Sequence, residues 1–178
     1  MKKIGFLAIG VIASLMLTSV FADTTDTETT PASVTVNAYV STTIAKCGNT
    51  DFGSQDPGDT DEPVACQSTG NDTTPAVTIT VESETNVNVD IALKGDDFSR
   101  TGGGGTITVG NVEYDDDHDK TDTDTGNNAV GTLITSYVDY WADTGTGDYD
   151  LWFWLDIPAS QTAGDYTSTF YFETSEHV

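Results

Sequence analysis

From Val34 onward the apolar residues fall at every second position, Val34, Val36, Ala38 and Val40, and most are β-branched. A side-chain period of two marks a strand with one buried face. The period returns at Val77, Ile79 and Val81, and again at Val87, Val89, Ile91 and Leu93, with Ser83–Asn86 between the two runs; together these predict a β-hairpin. Further strands are predicted over Thr106–Tyr114, Thr132–Trp141, Tyr149–Ile157 and Tyr166–Glu173. In the first of them the apolar phase slips from Ile107 and Val109 to Val112 and Tyr114 across Gly110, which predicts a β-bulge. Gly102–Gly105 and Asp115–Asn128 read as loops. No stretch after the N-terminal apolar run keeps a helical period. The class that follows is all-β: a two-sheet β-sandwich, jelly-roll or immunoglobulin-like, of about seven to nine strands with little helix.

The N-terminus has a different pattern. Lys2 and Lys3 precede an apolar run from Ile4 to Val20 that closes on Ser19-Val20-Phe21-Ala22, which reads as a secretory signal peptide over residues 1–22. A retained anchor, or pilin-type processing at Gly5-Phe6, is the competing reading; against the latter, no acidic residue stands near the start of the run. Residues 23–32 form a Thr-rich acidic tract whose Asp23–Pro31 portion has no apolar residue to bury, so a flexible tail is expected there. Residues 33–178 then make a single sandwich domain.

Charge narrows the functions. The chain has 178 residues, with 29 Asp plus Glu against 6 Lys plus Arg and a formal net charge of -23. Without a basic stripe it has nothing to neutralise phosphates, which argues against a nucleic-acid partner, and anionic lipid surfaces repel it. Once the leader is cleaved it is not expected to be a membrane protein; it is expected to be secreted, extracellular or at the cell surface. Cys47 and Cys66 are the only cysteines, and in an exported chain such a pair is most simply one disulfide. As metal ligands they would have only His118 and His177 to join them, neither near in sequence. Asn71-Asp72-Thr73 is a glycosylation sequon that reads equally well as a polar turn.

Catalytic residues are not identifiable. There is no Gly-x-Ser-x-Gly elbow and no Ser-x-x-Lys, His177 is next to the C-terminus, and with 22 Asp in the chain no carboxylate pair stands out, so no enzyme is expected. Calcium is the cofactor to consider. Asp115, Asp117, Asp119, Asp122 and Asp124 lie in one run before Gly126, and Asp122, Asp124 and Gly126 have the alternate spacing of a calcium loop, although no Glu closes it. A solvated acidic loop, or adaptation to a salt-rich habitat, gives the same run. Trp152 and Trp154 alternate with Leu151, Phe153 and Leu155, so this strand is apolar on both faces: either a central strand or, with the tryptophans outward, a platform for carbohydrate rings.

Two segments carry a family resemblance. Asp51-Phe52-Gly53-Ser54-Gln55-Asp56-Pro57-Gly58, followed by Asn86-Val87-Asn88-Val89, is similar to a pattern in small secreted archaeal surface proteins, and Trp154–Ala159 with Ala163–Thr167 resembles the last hairpin of many surface β-sandwich modules. Taken together they resemble the TasA/camelysin-like group and its archaeal bundling-pilus relatives. That resemblance implies a jelly-roll-like sandwich without catalytic residues that polymerises by donating an N-terminal strand, with Ser33–Ile44 (Val34, Val36, Ala38, Val40 and Ile44) mapping onto the donor. The residues themselves allow this, because a strand-forming segment behind a flexible tail can pair in its own sheet or complete another molecule's. The expectation is a non-enzymatic homopolymeric subunit of an extracellular filament or surface layer, whose charge must be screened by salt or bridged by cations. The alternative is a secreted carbohydrate-binding or adhesive module that uses Trp152 and Trp154.

Overall fold

The computed structural model describes residues 33–67, 74–117 and 130–178. One compact body comprises Val36–Val178, and it alone is described here. Its strands are β1 (Thr42–Lys46), β2 (Glu62–Pro63), β3 (Val77–Val81), β4 (Val89–Gly95), β5 (Phe98–Arg100), β6 (Thr106–Ile107), β7 (Val112–Asp115), β8 (Gly131–Thr132), β9 (Val138–Thr144), β10 (Gly147–Leu155), β11 (Tyr166–Thr167) and β12 (Phe170–Glu176). The one helical element among the described residues is a single 3-10 turn at Val109–Asn111. The all-β sandwich read from the pattern is the fold observed.

β10 is the axis of the larger sheet, whose order is β1-β3-β10-β7-β8. Its first half alternates: Asp148 and Asp150 point away from the core and accept bonds from the Thr80 and Thr78 hydroxyls, while Leu151 is buried. Its second half, Leu151–Leu155, is buried on both faces. One side of β10 pairs with β3 along Gly147–Leu151 and then with β2 at Trp154–Leu155; the other pairs with β7 along Trp152–Leu155. All of these pairings are antiparallel.

A second sheet, β12-β4-β9, covers the inner face of the first, and a third, small sheet has the order β11-β5-β6. The two large sheets meet at Phe153, whose ring lies 5.3 Å from that of Phe170 and 6.4 Å from that of Phe172, both on β12. Leu93, Ile91 and Val89 of β4 join the same core. The close approach needs a glycine: a Cβ on Gly95 would lie 2.7 Å from both Leu133 and Val109 side chains.

Three expectations are corrected. The alternation at Val34–Val40 does not form a ladder; the first ladder, β1, begins at Thr42 and pairs Thr42–Lys46 with Val81–Val77. β3 and β4 are not a hairpin, because the turn near Ser83–Glu84 carries the chain from one sheet to the other. Period-two patterning identifies strands but not their partners. The phase slip at Gly110 is the 3-10 turn rather than a bulge, separating β6 from β7 and moving the chain between sheets.

Cys47 and Cys66 are joined, with 5.7 Å between their Cα atoms. The bridge ties the end of β1 to the segment after β2, where the buried Gln67 side chain accepts the Phe153 amide. With a sequence separation of 19 between the two positions, its removal should cost about 3 kcal/mol in the chain-entropy model. We therefore expect a Cys47→Ser, Cys66→Ser double variant to unfold at clearly lower denaturant concentration, followed by Trp fluorescence; an unchanged midpoint would show that the bridge contributes nothing.

Candidate functional site

Two sheet edges face each other across an open seam. β1 ends the first sheet and β12 ends the second, and neither forms a backbone ladder with the other. They touch at one end, where the Thr42 and Thr174 hydroxyls are 3.0 Å apart. From there they diverge, leaving a groove of about 920 Å³. Ile44 and Lys46 of β1 form one wall, Phe170 and Phe172 of β12 stand opposite, and Phe52 and Phe98 line it further along. The aromatic row is continuous: Phe52 to Phe98 is 6.2 Å and Phe98 to Phe170 is 6.1 Å between ring centres. An unpaired edge beside apolar side chains is the arrangement that strand addition uses, since the ladder supplies affinity and the pockets supply selectivity.

The segment leading into β1 is held by two backbone bonds, the Glu82 amide to the Ser41 carbonyl at 2.9 Å and the Asn86 amide to the Tyr39 carbonyl at 3.2 Å, and by side chains. The Asn86 carboxamide accepts the Tyr39 amide at 2.7 Å and donates to the Asn37 carbonyl at 2.9 Å, while the Thr85 hydroxyl accepts the Ser41 amide and donates to the Ser41 carbonyl. Backbone and side-chain bonds together form a clasp on this segment. Of the residues mapped onto the donor, Val36 is 75% exposed and Ala38 is exposed, Val40 packs partly on the core, and Ile44 sits in β1 opposite Ile79.

The other candidates are not brought together. Among the described residues no three His, Cys, Asp or Glu side chains are placed to hold a metal. Asp119, Asp122, Asp124, His118 and Asn71 lie outside the described residues. Asp115 and Asp117 are described, and Asp115 is the odd one of the run, only 3% exposed. It accepts bonds from the Asp116 amide at 2.8 Å and from the Tyr140 hydroxyl at 3.2 Å, which links β7 to β9 across the sandwich. Burial pushes its carboxyl up to about 6. Trp152 and Trp154 are each 5% exposed, as the central-strand reading requires, so the alternative platform for sugar rings is not presented. His177 bonds Asp90 at 2.7 Å; that bond raises the imidazole, while the Asp143 amide, followed by His177, lowers the Asp90 carboxyl. No helix among the described residues is long and apolar enough to cross a membrane.

The seam was missed in the sequence although its signal is there. Phe170 and Phe172 alternate in the last strand, but alternation cannot show that the strand is an edge. Phe52 stood inside a motif and Phe98 outside any. No family model matches the chain, and neither do the curated proteins or the solved structures compared with it.

The buried carboxyl gives a signed pH dependence. Its folded-state value lies above the 3.8 of the unfolded chain, so the folded state holds more protons between about pH 4 and 6 and stability from this group falls as pH rises through that window. Asp115→Asn keeps an acceptor for Tyr140 and removes the charge. It should raise stability by about 2 kcal/mol at pH 7 and by little below pH 4, read as melting temperature against pH. A loss at pH 7 would mean that the carboxylate has a counter-charge there, such as calcium.

Proposed function

We propose that this protein is a non-enzymatic, secreted structural subunit that assembles into an extracellular filament or surface layer by donating its N-terminal segment to the seam of a second copy. The observation that carries the reading is the seam itself, a groove between two unpaired sheet edges in which Ile44, Phe170 and Phe172 stand beside polar groups such as Asp51 and Asp165, in a chain whose N-terminal apolar alternation forms no ladder of its own. Residues 33–40 are the donor in this reading, and β1 stays in place as part of the acceptor. The resemblance to TasA/camelysin-like and bundling-pilus proteins implies the same mode.

The lengths agree. Seven residues from Val34 to Val40 span roughly 23 Å when extended, as do the seven of β12. Val34, Val36, Ala38 and Val40 would place one apolar face on Phe170 and Phe172 while the backbone completes a ladder. Donation of the whole segment exchanges the clasp for that ladder, so the Asn86 carboxamide opposes assembly by stabilising the free subunit. Both the apolar contact and the ladder persist at the high salt needed to screen such acidic subunits. A carbohydrate-binding reading that depends on Trp152 and Trp154 has lost its platform.

Electron microscopy of purified protein across salt concentrations tests this. Wild-type protein should form fibres or sheets, whereas deletion of residues 23–36 or Val36→Asp should leave soluble subunits, the latter with a melting temperature near wild type because Val36 is exposed in the free subunit. Monodisperse wild-type protein in all conditions would contradict the reading. Asn86→Ala should act the opposite way, lowering subunit stability by about 1 kcal/mol for the lost bonds while shortening the lag before assembly. A longer lag would show that the clasp is needed for donation.

A further inference from the structure

We infer that the Cys47–Cys66 disulfide gates the acceptor: with the bridge closed the seam takes a second copy's segment, and with it open the seam does not, although the sheets around β10 stay folded. This rests on the strand-donation reading and adds its regulation.

The bridge closes a loop, and that loop is a wall of the seam. Residues 49–57, all inside it, line the groove, and Lys46, the last residue of β1, precedes the first cysteine. The two halves of the loop are held differently. The second half is fastened to β10 and its continuation without help from the bridge. The Gly58 amide bonds the Ile157 carbonyl at 3.0 Å, the Ile157 amide bonds the Asp59 carbonyl at 2.8 Å, and the Asp61 amide bonds the Asp156 carboxylate at 2.8 Å. β2 then pairs with Trp154 and Leu155. Cys66 itself stands between Val64, whose amide bonds the Phe153 carbonyl, and Gln67, whose side chain accepts the Phe153 amide.

The first half has little of this. Among the described residues, one backbone-to-backbone bond reaches residues 48–51, from the Ala65 amide to the Asp51 carbonyl at 2.7 Å. Thr50 is β-branched yet held at φ 54°, a left-handed conformation that its side chain disfavours and that surrounding restraints must maintain. β1 is equally exposed to loosening: it is an edge with β3 as its neighbour, and four of its five residues are exposed, so the core gives it little hold. The bridge is what ties Cys47, and with it the end of β1, to the segment bonded to Phe153. Opening it releases the end of the acceptor edge and the stretch leading to Phe52, the first ring of the aromatic row, while the contacts of Phe153 with β12 do not pass through it.

Both cysteines are half-buried and so open to a reductant. A dithiol breaks the S–S bond by thiolate attack on one sulfur and resolves the mixed disulfide with its second thiol. Two electrons and two protons pass to the cysteines, and the dithiol leaves as a cyclic disulfide. In a reducing compartment the chain therefore carries a donor segment and no acceptor, and assembly starts only where disulfides form.

The test uses the full-length protein, oxidised or reduced with dithiothreitol, and a fluorescein-labelled peptide of residues 33–41 read by fluorescence anisotropy, with tryptophan emission reporting the fold. If reduction leaves the acceptor competent about a tenth of the time, peptide affinity falls about tenfold while tryptophan emission stays that of the folded protein. The Cys47→Ser, Cys66→Ser double variant should bind as weakly with or without reductant, and reoxidation of the wild type should restore tight binding. On reduction, hydrogen exchange should speed up at Thr42–Lys46 and residues 49–57 and stay slow at Val89–Gly95. Equal affinity of folded reduced protein, or loss of binding only together with the tryptophan signal along a reductant or denaturant series, would overturn the gate and leave strand donation standing. No binding to the oxidised protein would remove strand donation, and the gate with it.

Discussion

Burial of Leu151–Leu155 on both faces of the strand is the constraint on which the rest of this structure depends. Five consecutive large apolar side chains cannot lie at a surface or at an edge, so β10 must be central, with hydrogen-bonding neighbours on both sides and cover on both faces. β3, β2 and β7 supply the neighbours. Phe153 seats the second sheet through Phe170 and Phe172, which places β12 opposite β1. Because β1 and β12 are each the last strand of their sheets, the core is left open along one side. The seam thus follows from how the core is built.

Electrostatics oppose every close approach of two such molecules. The excess of carboxylates is tolerable in the free subunit because the pairs on the outer face are hydrogen-bonded to threonines or left in water, as with Asp148 and Asp150. Asp115 is the exception: it is held inside by Tyr140, and its ionisation costs the fold stability at neutral pH. Association of such subunits has to rest on interactions that survive screening. Apolar contact and backbone ladders do so.

Much of this was legible in the residues. Period-two runs located β3, most of β4, β10 and β12, and the double-faced character of Trp152–Leu155 was readable as a central strand. The cysteine pair was readable as a disulfide. What could not be read was partnership: β3 and β4 look like a hairpin because alternation carries no information about which sheet a strand joins. The Val34–Val40 pattern resembles a strand for the same reason, although the segment is held by a few bonds from Glu82, Thr85 and Asn86 and not by a ladder. The seam depends on which strands are edges, and that is a property of topology, invisible in any local window.

Hydrogen exchange by mass spectrometry on assembled against free protein tests the central claim most directly. If a second copy's segment fills the seam, amides of Thr42–Lys46 and Phe170–Glu176, and those of residues 33–40, should become strongly protected in the assembly, while β9, the opposite edge of the second sheet, should exchange as before. Protection confined to β9, or assemblies in which β1, β12 and residues 33–40 exchange as fast as in the free subunit, would contradict the account.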